Sequence, residues 1–169
     1  MMNEEQSFIN IIKKRLLIYK ELGDKTFLQL EESDFHYKKF ETENSVYVIV
    51  NHMRGNMLSR FTDFLTTDGE KEWRDRADEF RENNNVDKER IIEKWEEGWN
   101  CLMHTLQGLQ DKDLSKKITI RGEEHLVVDA LLRQVAHYAY HVGQIVYIAK
   151  HLKGNDWKSL SIPKEKMVN

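Results

Sequence analysis

The chain of 169 residues holds one cysteine, Cys101, and one proline, Pro163. A single thiol excludes an intramolecular disulfide and a cysteine-based zinc cluster. With proline confined to the C-terminal end, nearly the whole chain is free to be helical. Basic residues do not predominate either. The formal charge is −3, and no long Lys/Arg run exists. Nucleic acid is therefore not expected as a partner, because phosphate neutralisation needs a basic face. Long hydrophobic runs are missing as well. The most apolar stretch, Leu126 to Leu152, is interrupted by Asp129, Arg133, Gln134, His137, His141 and Gln144. It does not suit a lipid-facing span, and no membrane partner is expected. The opening Met-Met-Asn-Glu-Glu-Gln shows no basic segment followed by an apolar one. A cytoplasmic location is the expectation.

What remains is the composition of a globular chain, with 40% hydrophobic and 33% charged residues. That is too apolar for disorder, and the length is enough to bury a core without staples. Residues 1–169 are expected to form a single domain.

Apolar residues at three- and four-residue spacing predict four long helices. The first runs from Glu4 to Leu22, with Phe8, Ile12, Leu16 and Tyr19 on its stripe. Phe27 and Leu30 continue that stripe past Gly23, a kink or a tolerated interior glycine. The second starts at Asn44 or Ser45 and carries Val46, Ile49, Met53, Met57, Phe61 and Leu65. Its β-branched start would suit a strand, but the helical period continues unbroken. The third spans Asp87 to Leu109, with Asp87 as N-cap. The fourth occupies Val127 to Leu152 and ends at Gly154. Lys117 to Glu123 reads as an extended segment with a glycine turn, able to pair with His125-Leu126-Val127. The connection from Thr66 to Val86 is long and polar, anchored by Trp73 and Phe80; such connections are often functional. The expected class is all-α, a four-helix bundle.

Two of the seven histidines, His137 and His141, form His-x-x-x-His within the fourth helix. At about 100° per residue they stand roughly 40° apart on one face, one turn apart in height. Two imidazoles so placed can grip one metal ion. The Glu that follows the first His in zincin peptidases is missing from His-Tyr-Ala-Tyr-His, so that motif and its general base are excluded. A third ligand must come from elsewhere. His52 is the best choice, since it lies in an apolar helical segment where a histidine is costly unless paired or ligated. The competing reading makes all three core histidines, bonded to neighbouring helices, with Asn56 one partner for His52. His36, His104 and His151 lie in connections or near helix ends, as does His125, which is held in reserve as a ligand.

Asn51-His52-Met53-Arg54-Gly55-Asn56, together with His137-Tyr138-Ala139-Tyr140-His141-Val142-Gly143-Gln144, resembles the DinB-like superfamily. Phe64-Leu65-Thr66-Thr67-Asp68-Gly69-Glu70-Lys71, Trp73-Arg74-Asp75-Arg76 and the tail from Asp156 to Pro163 are similar to an uncharacterised Bacillus-type subfamily of it. The resemblance covers essentially the whole chain. It implies an up-down-down-up helix order, a homodimer, and a divalent metal held by His52, His137 and His141. Relatives include S-transferases that use bacillithiol, mycothiol or a similar thiol, and a mycothiol-dependent isomerase. Others have no known activity.

Three neutral histidines leave a coordination position for solvent or substrate, the pattern of a catalytic site. Zinc, nickel, iron and manganese all suit imidazole. A low-molecular-weight thiol and an electrophilic small molecule are the partners such a site would bring together. Arg54, Asn56 and Arg60 are candidates for binding the carboxylates of that thiol, against a reading as a solvated helix face. Gln134 and Gln144 are candidates for orienting the imidazoles. Tyr138 and Tyr140 flank the pair, with packing expected for Tyr138. Cys101, next to Trp99 and Leu102, reads as a packing residue rather than a nucleophile. The alternative to an enzyme is a dimeric metal-binding or structural stress protein, with a closed site and no pocket.

Overall fold

The computed structural model describes residues 7–162. Its elements are α1 (Phe8–Phe27), α2 (Val46–Phe61), α3 (Arg76–Glu79), α4 (Lys88–Gly108), β1 (Lys117–Ile120), β2 (Glu123–Leu126) and α5 (Val127–Lys153). The expected helix start at Glu4 and the tail from Pro163 lie outside the described residues.

Side chains start the helices where expected. Ser45 accepts from the Val48 amide at the head of α2, and Asp87 from the Arg90 amide at the head of α4. Each satisfies an amide that has no partner within its helix. Gly154, at φ 52°, ends α5. The β-branched start of α2 is helical because its side chains are buried on nearly every side, and tertiary packing overrides propensity there.

Among the described residues the fold is mixed and mainly helical. The all-α four-helix bundle in up-down-down-up order is corrected by two findings: a fifth, short helix, α3, and a two-stranded antiparallel sheet. The sheet has a local cause. Arg121 and Gly122 both take positive φ, 56° and 76°, the turn whose twist matches two paired strands. Lys117 then pairs with Leu126 and Ile120 with Glu123, while Ile118 and Ile120 enter the core.

One hydrophobic cluster runs through the described residues. α2 packs along α4, and α1 along α5. Trp95 and Trp99 meet edge-on at 5.3 Å, with Phe27 against Trp95 at 5.1 Å. Gly23 is an interior glycine of α1 with a packing reason, since a Cβ there would overlap the Trp95 ring.

The connection after α2 is stapled down rather than free. Ser59 Oγ, fully buried, donates to the Gly69 carbonyl at 2.9 Å and accepts from the Lys71 amide at 3.0 Å. Asp68 accepts from three backbone amides, those of Glu70, Arg121 and Gly122, which holds its carboxyl below the usual range. This clasp ties the connection to the hairpin turn. No helix among the described residues is long and apolar enough to cross a membrane.

Candidate metal centre

α2 and α5 bring three imidazoles to one point. His52 Nε2 stands 3.4 Å from His137 Nε2, which stands 3.0 Å from His141 Nε2. The ligand atoms of all three lie within 4.8 Å of one another. Ring nitrogens bound to one tetrahedral ion at about 2.0–2.1 Å are separated by roughly 3.3–3.4 Å, close to these distances.

The outer nitrogens settle the tautomers. His52 Nδ1 donates to Glu79 Oε2 at 2.9 Å, and His141 Nδ1 donates to Gln144 Oε1 at 2.9 Å. In the neutral rings both Nε2 atoms are then unprotonated and face inward. His137 Nε2–H can donate to only one of them, so lone pair meets lone pair unless a cation lies between. Carboxylate–histidine pairing of this kind orients a ligand and raises its basicity. Burial first, then the charges of neighbouring histidines (His141 and His52 on His137, His52 on His141), push His137 down to about 3 and His141 down to about 4. Both are neutral at ordinary pH, as ligation requires.

Glu79 is itself fixed. Arg74 Nε reaches its Oε1 at 2.7 Å and Nη2 its Oε2 at 2.9 Å, a two-pronged charge-assisted contact. Burial raises the Glu79 carboxyl, but bonds from His52 and Arg74 outweigh it and hold the group below its ordinary value. Gly55 makes the approach possible: a Cβ there would overlap the Glu79 carboxylate. Phe80 covers the outer face of His52, ring centroids 4.7 Å apart. Glu79 and Arg74 come from the long connection that the sequence marks as a place for function, but neither is singled out by spacing. Arg74 falls within the Trp73-Arg74-Asp75-Arg76 stretch that carries the resemblance, with no role assigned to it. The signal nearest Glu79 is Asp75, whose side chain caps α3 at Asp78.

Beside the histidines lies a cavity of about 170 Å³, lined by His52 and His137 along with Asn56, Arg60 and Gln134. Of the candidates on α2, Arg54 does not line it. Its guanidinium turns to α4 and pairs with Glu97 at 2.5 and 3.0 Å. Asn56 is buried and accepts from the Tyr138 hydroxyl at 2.9 Å, so Tyr138 is a packing residue with its polar end satisfied. Gln144 orients His141 as expected; Gln134 makes no hydrogen bond to a histidine among the described residues, and its Oε1 is buried without a partner there. Tyr140 is exposed and accepts from Gln144. Cys101 is half-buried beside Thr62, with its thiol pushed up by burial, away from the site. His125 bonds Asp129 and takes no part, while His36 is held between Glu82 and the Val86 carbonyl.

The sequence matches the family described as Protein of unknown function (DUF1572) over residues 3–166. The chain belongs to that family. No curated protein matches this DUF1572 chain. Within it, His52, His137 and His141 lie close enough to hold one metal ion.

Proposed function

We propose that this DUF1572 chain is a cytoplasmic, DinB-like, divalent-metal-dependent thiol S-transferase, with bacillithiol or a similar low-molecular-weight thiol as donor. The observation that supports it is the convergence of three imidazole Nε2 atoms beside a cavity that His52 and His137 line. When bound, a zinc, nickel, iron or manganese ion supplies Lewis acidity that lowers the pKa of a thiol or water beside it. The rest falls to the chain's own residues. Glu79 and Gln144 fix two imidazoles in the ligating tautomer, Arg74 fixes Glu79, and Phe80 shields His52 from water. No fourth His, Cys, Asp or Glu joins the three among the described residues. That leaves room for a ligand from solution, as in catalytic sites. The electrophile, of the epoxide or alkyl halide class, would occupy the cavity. A homodimer belongs to the same reading.

Metal content by mass spectrometry on untagged protein tests it first, beside His137→Ala. The expected result is about one ion per chain in the wild type and a loss in the variant. Conjugation of bacillithiol to an epoxide should then require the ion. No ion after incubation with zinc, nickel and manganese would sink the reading. An ion without turnover across thiols and electrophiles would make the centre a stabiliser of the fold.

A further inference from the structure

The cavity beside the histidines has a second character. Its wall includes five guanidiniums, Arg60, Arg74, Arg76, Arg121 and Arg133, and no carboxylate. Two glutamates stand behind it. Glu79 is taken up by Arg74 and His52, and Glu70 is shared between Arg74 and Arg121. Arg60, Arg76 and Arg133 make no salt bridge among the described residues.

Arg60 is the decisive residue. It is 3% exposed, and its Nε and Nη1 have no hydrogen-bond partner among the described residues. Leaving a buried cation unpaired is among the most costly things a fold can do. A hydrophobic side chain would fill the volume without the penalty. The Oε1 of Gln134, 2% exposed and also unpartnered, adds an acceptor to the same wall.

Spacing links this pocket to the histidines. His52, Asn56 and Arg60 follow each other at four-residue steps on α2, and His141, His137 and Arg133 do so in reverse on α5. Four residues advance a helix by about 6 Å. One pair of stripes thus carries imidazoles at one end and guanidiniums at the other. Arginine is the residue for planar, two-pronged recognition of oxyanions. A volume of about 170 Å³ holds a group of a few heavy atoms, since one water takes about 30 Å³.

We propose that this cavity is an oxyanion subsite, in which Arg60, Arg74, Arg76, Arg121 and Arg133 hold the carboxylate or phosphate group of a small molecule. The orphan acceptor of Gln134 takes an O–H or N–H next to that group. The subsite stands on its own geometry; that its occupant is also the reacting molecule rests on the metal reading. On that reading the substrate is anionic, with its reactive atom one to two helical turns from its charge.

The test is calorimetric titration of the full chain, stripped of metal by dipicolinate, with inorganic phosphate and with malonate in low-chloride buffer. Stripping keeps direct ligation of a metal out of the signal. The expected result is saturable binding of at least one anion, weakened about tenfold or more by Arg133→Gln. Arg60→Met should abolish it, and Arg54→Gln should leave it unchanged. Arg76→Gln and Arg133→Gln alter exposed side chains, so they carry the test if Arg60→Met fails to fold. Tighter phosphate points to a phosphate ester, tighter malonate to a carboxylate. No heat from either anion, or binding indifferent to Arg60→Met and Arg133→Gln, overturns the subsite. Metal content is measured separately: anion binding in a chain that takes no ion keeps the subsite and removes only its place beside the reaction.

Discussion

Two regions of this molecule are built from the same helices on opposite terms. Around Trp95 and Trp99, α1, α2, α4 and α5 enclose rings and aliphatic chains, and the Trp95 indole donates to Asp24 at 2.7 Å. Around His52 and Arg60, two of those helices meet a connection and a hairpin turn, and the interior holds imidazoles, carboxylates and guanidiniums. The first region lowers the free energy of folding through the apolar surface it buries, offset in part at the Trp99 indole N–H, which is buried without a partner among the described residues. The second raises it, because groups that prefer water are dehydrated and some are left without partners. Sequences that break local rules at one place, while obeying them elsewhere, tend to do so where function sits.

The comparison can be broken most sharply from the dry side. Trp95→Ala should cost about 3–5 kcal/mol of stability, read from urea unfolding. A loss under 1 kcal/mol would mean that the core closes over the gap and that the contrast is overdrawn. On the polar side the expected loss is in affinity. Glu79→Gln should weaken zinc binding by about 10–100-fold in competition with a chromophoric chelator. Gly55→Ala should act in the same direction by displacing that carboxylate. Unchanged affinity in both would show that His52 needs no orientation.

Acid sharpens the contrast next. In the metal-free fold His137 and His141 protonate at about 3 and about 4, below the ordinary 6.5 they regain on unfolding. From pH 6.5 down to about 4 for His141, and to about 3 for His137, the unfolded chain therefore binds more protons than the folded one. Stability is full above that window and drains away as pH falls through it. His137→Gln should flatten the slope of Tm against pH, with the metal removed throughout. A wild-type slope no steeper than the variant's would contradict the burial of neutral imidazoles. The smallest effect is expected at Arg54. Its pair with Glu97 is partly exposed, so Arg54→Ala should change stability by about 0–1 kcal/mol and metal content not at all.

Which of these parts can be seen in the sequence follows from what a period reports. Spacing reports one face of one element. It exposes His137 and His141 together, and it flags His52 because an imidazole amid Val48, Ile49 and Met53 is out of place. The caps at Ser45, Asp87 and Gly154 follow from backbone needs that only certain residues meet. Glu79 escapes because α3 has four residues, too few to show a period, and Arg74 because it lies in the irregular connection before α3. Nothing local says that the connection folds back over α2. Arg54 and Arg60 look equivalent on paper; six residues apart, they point to different faces, and only packing shows which is inside. The hairpin is visible at Gly122, but an all-α class, which follows from the four long helices, gives it no weight.

The Asp68 clasp bears on how the hairpin turn is held beside the cavity. By holding the amides of Arg121 and Gly122, 53 and 54 residues away in sequence, as well as that of Glu70, one carboxylate ties two distant segments together. Arg121 lines the cavity beside the histidines, so on the proposed reading it offers its guanidinium from a backbone already anchored, and an anion would meet it without first ordering a loop.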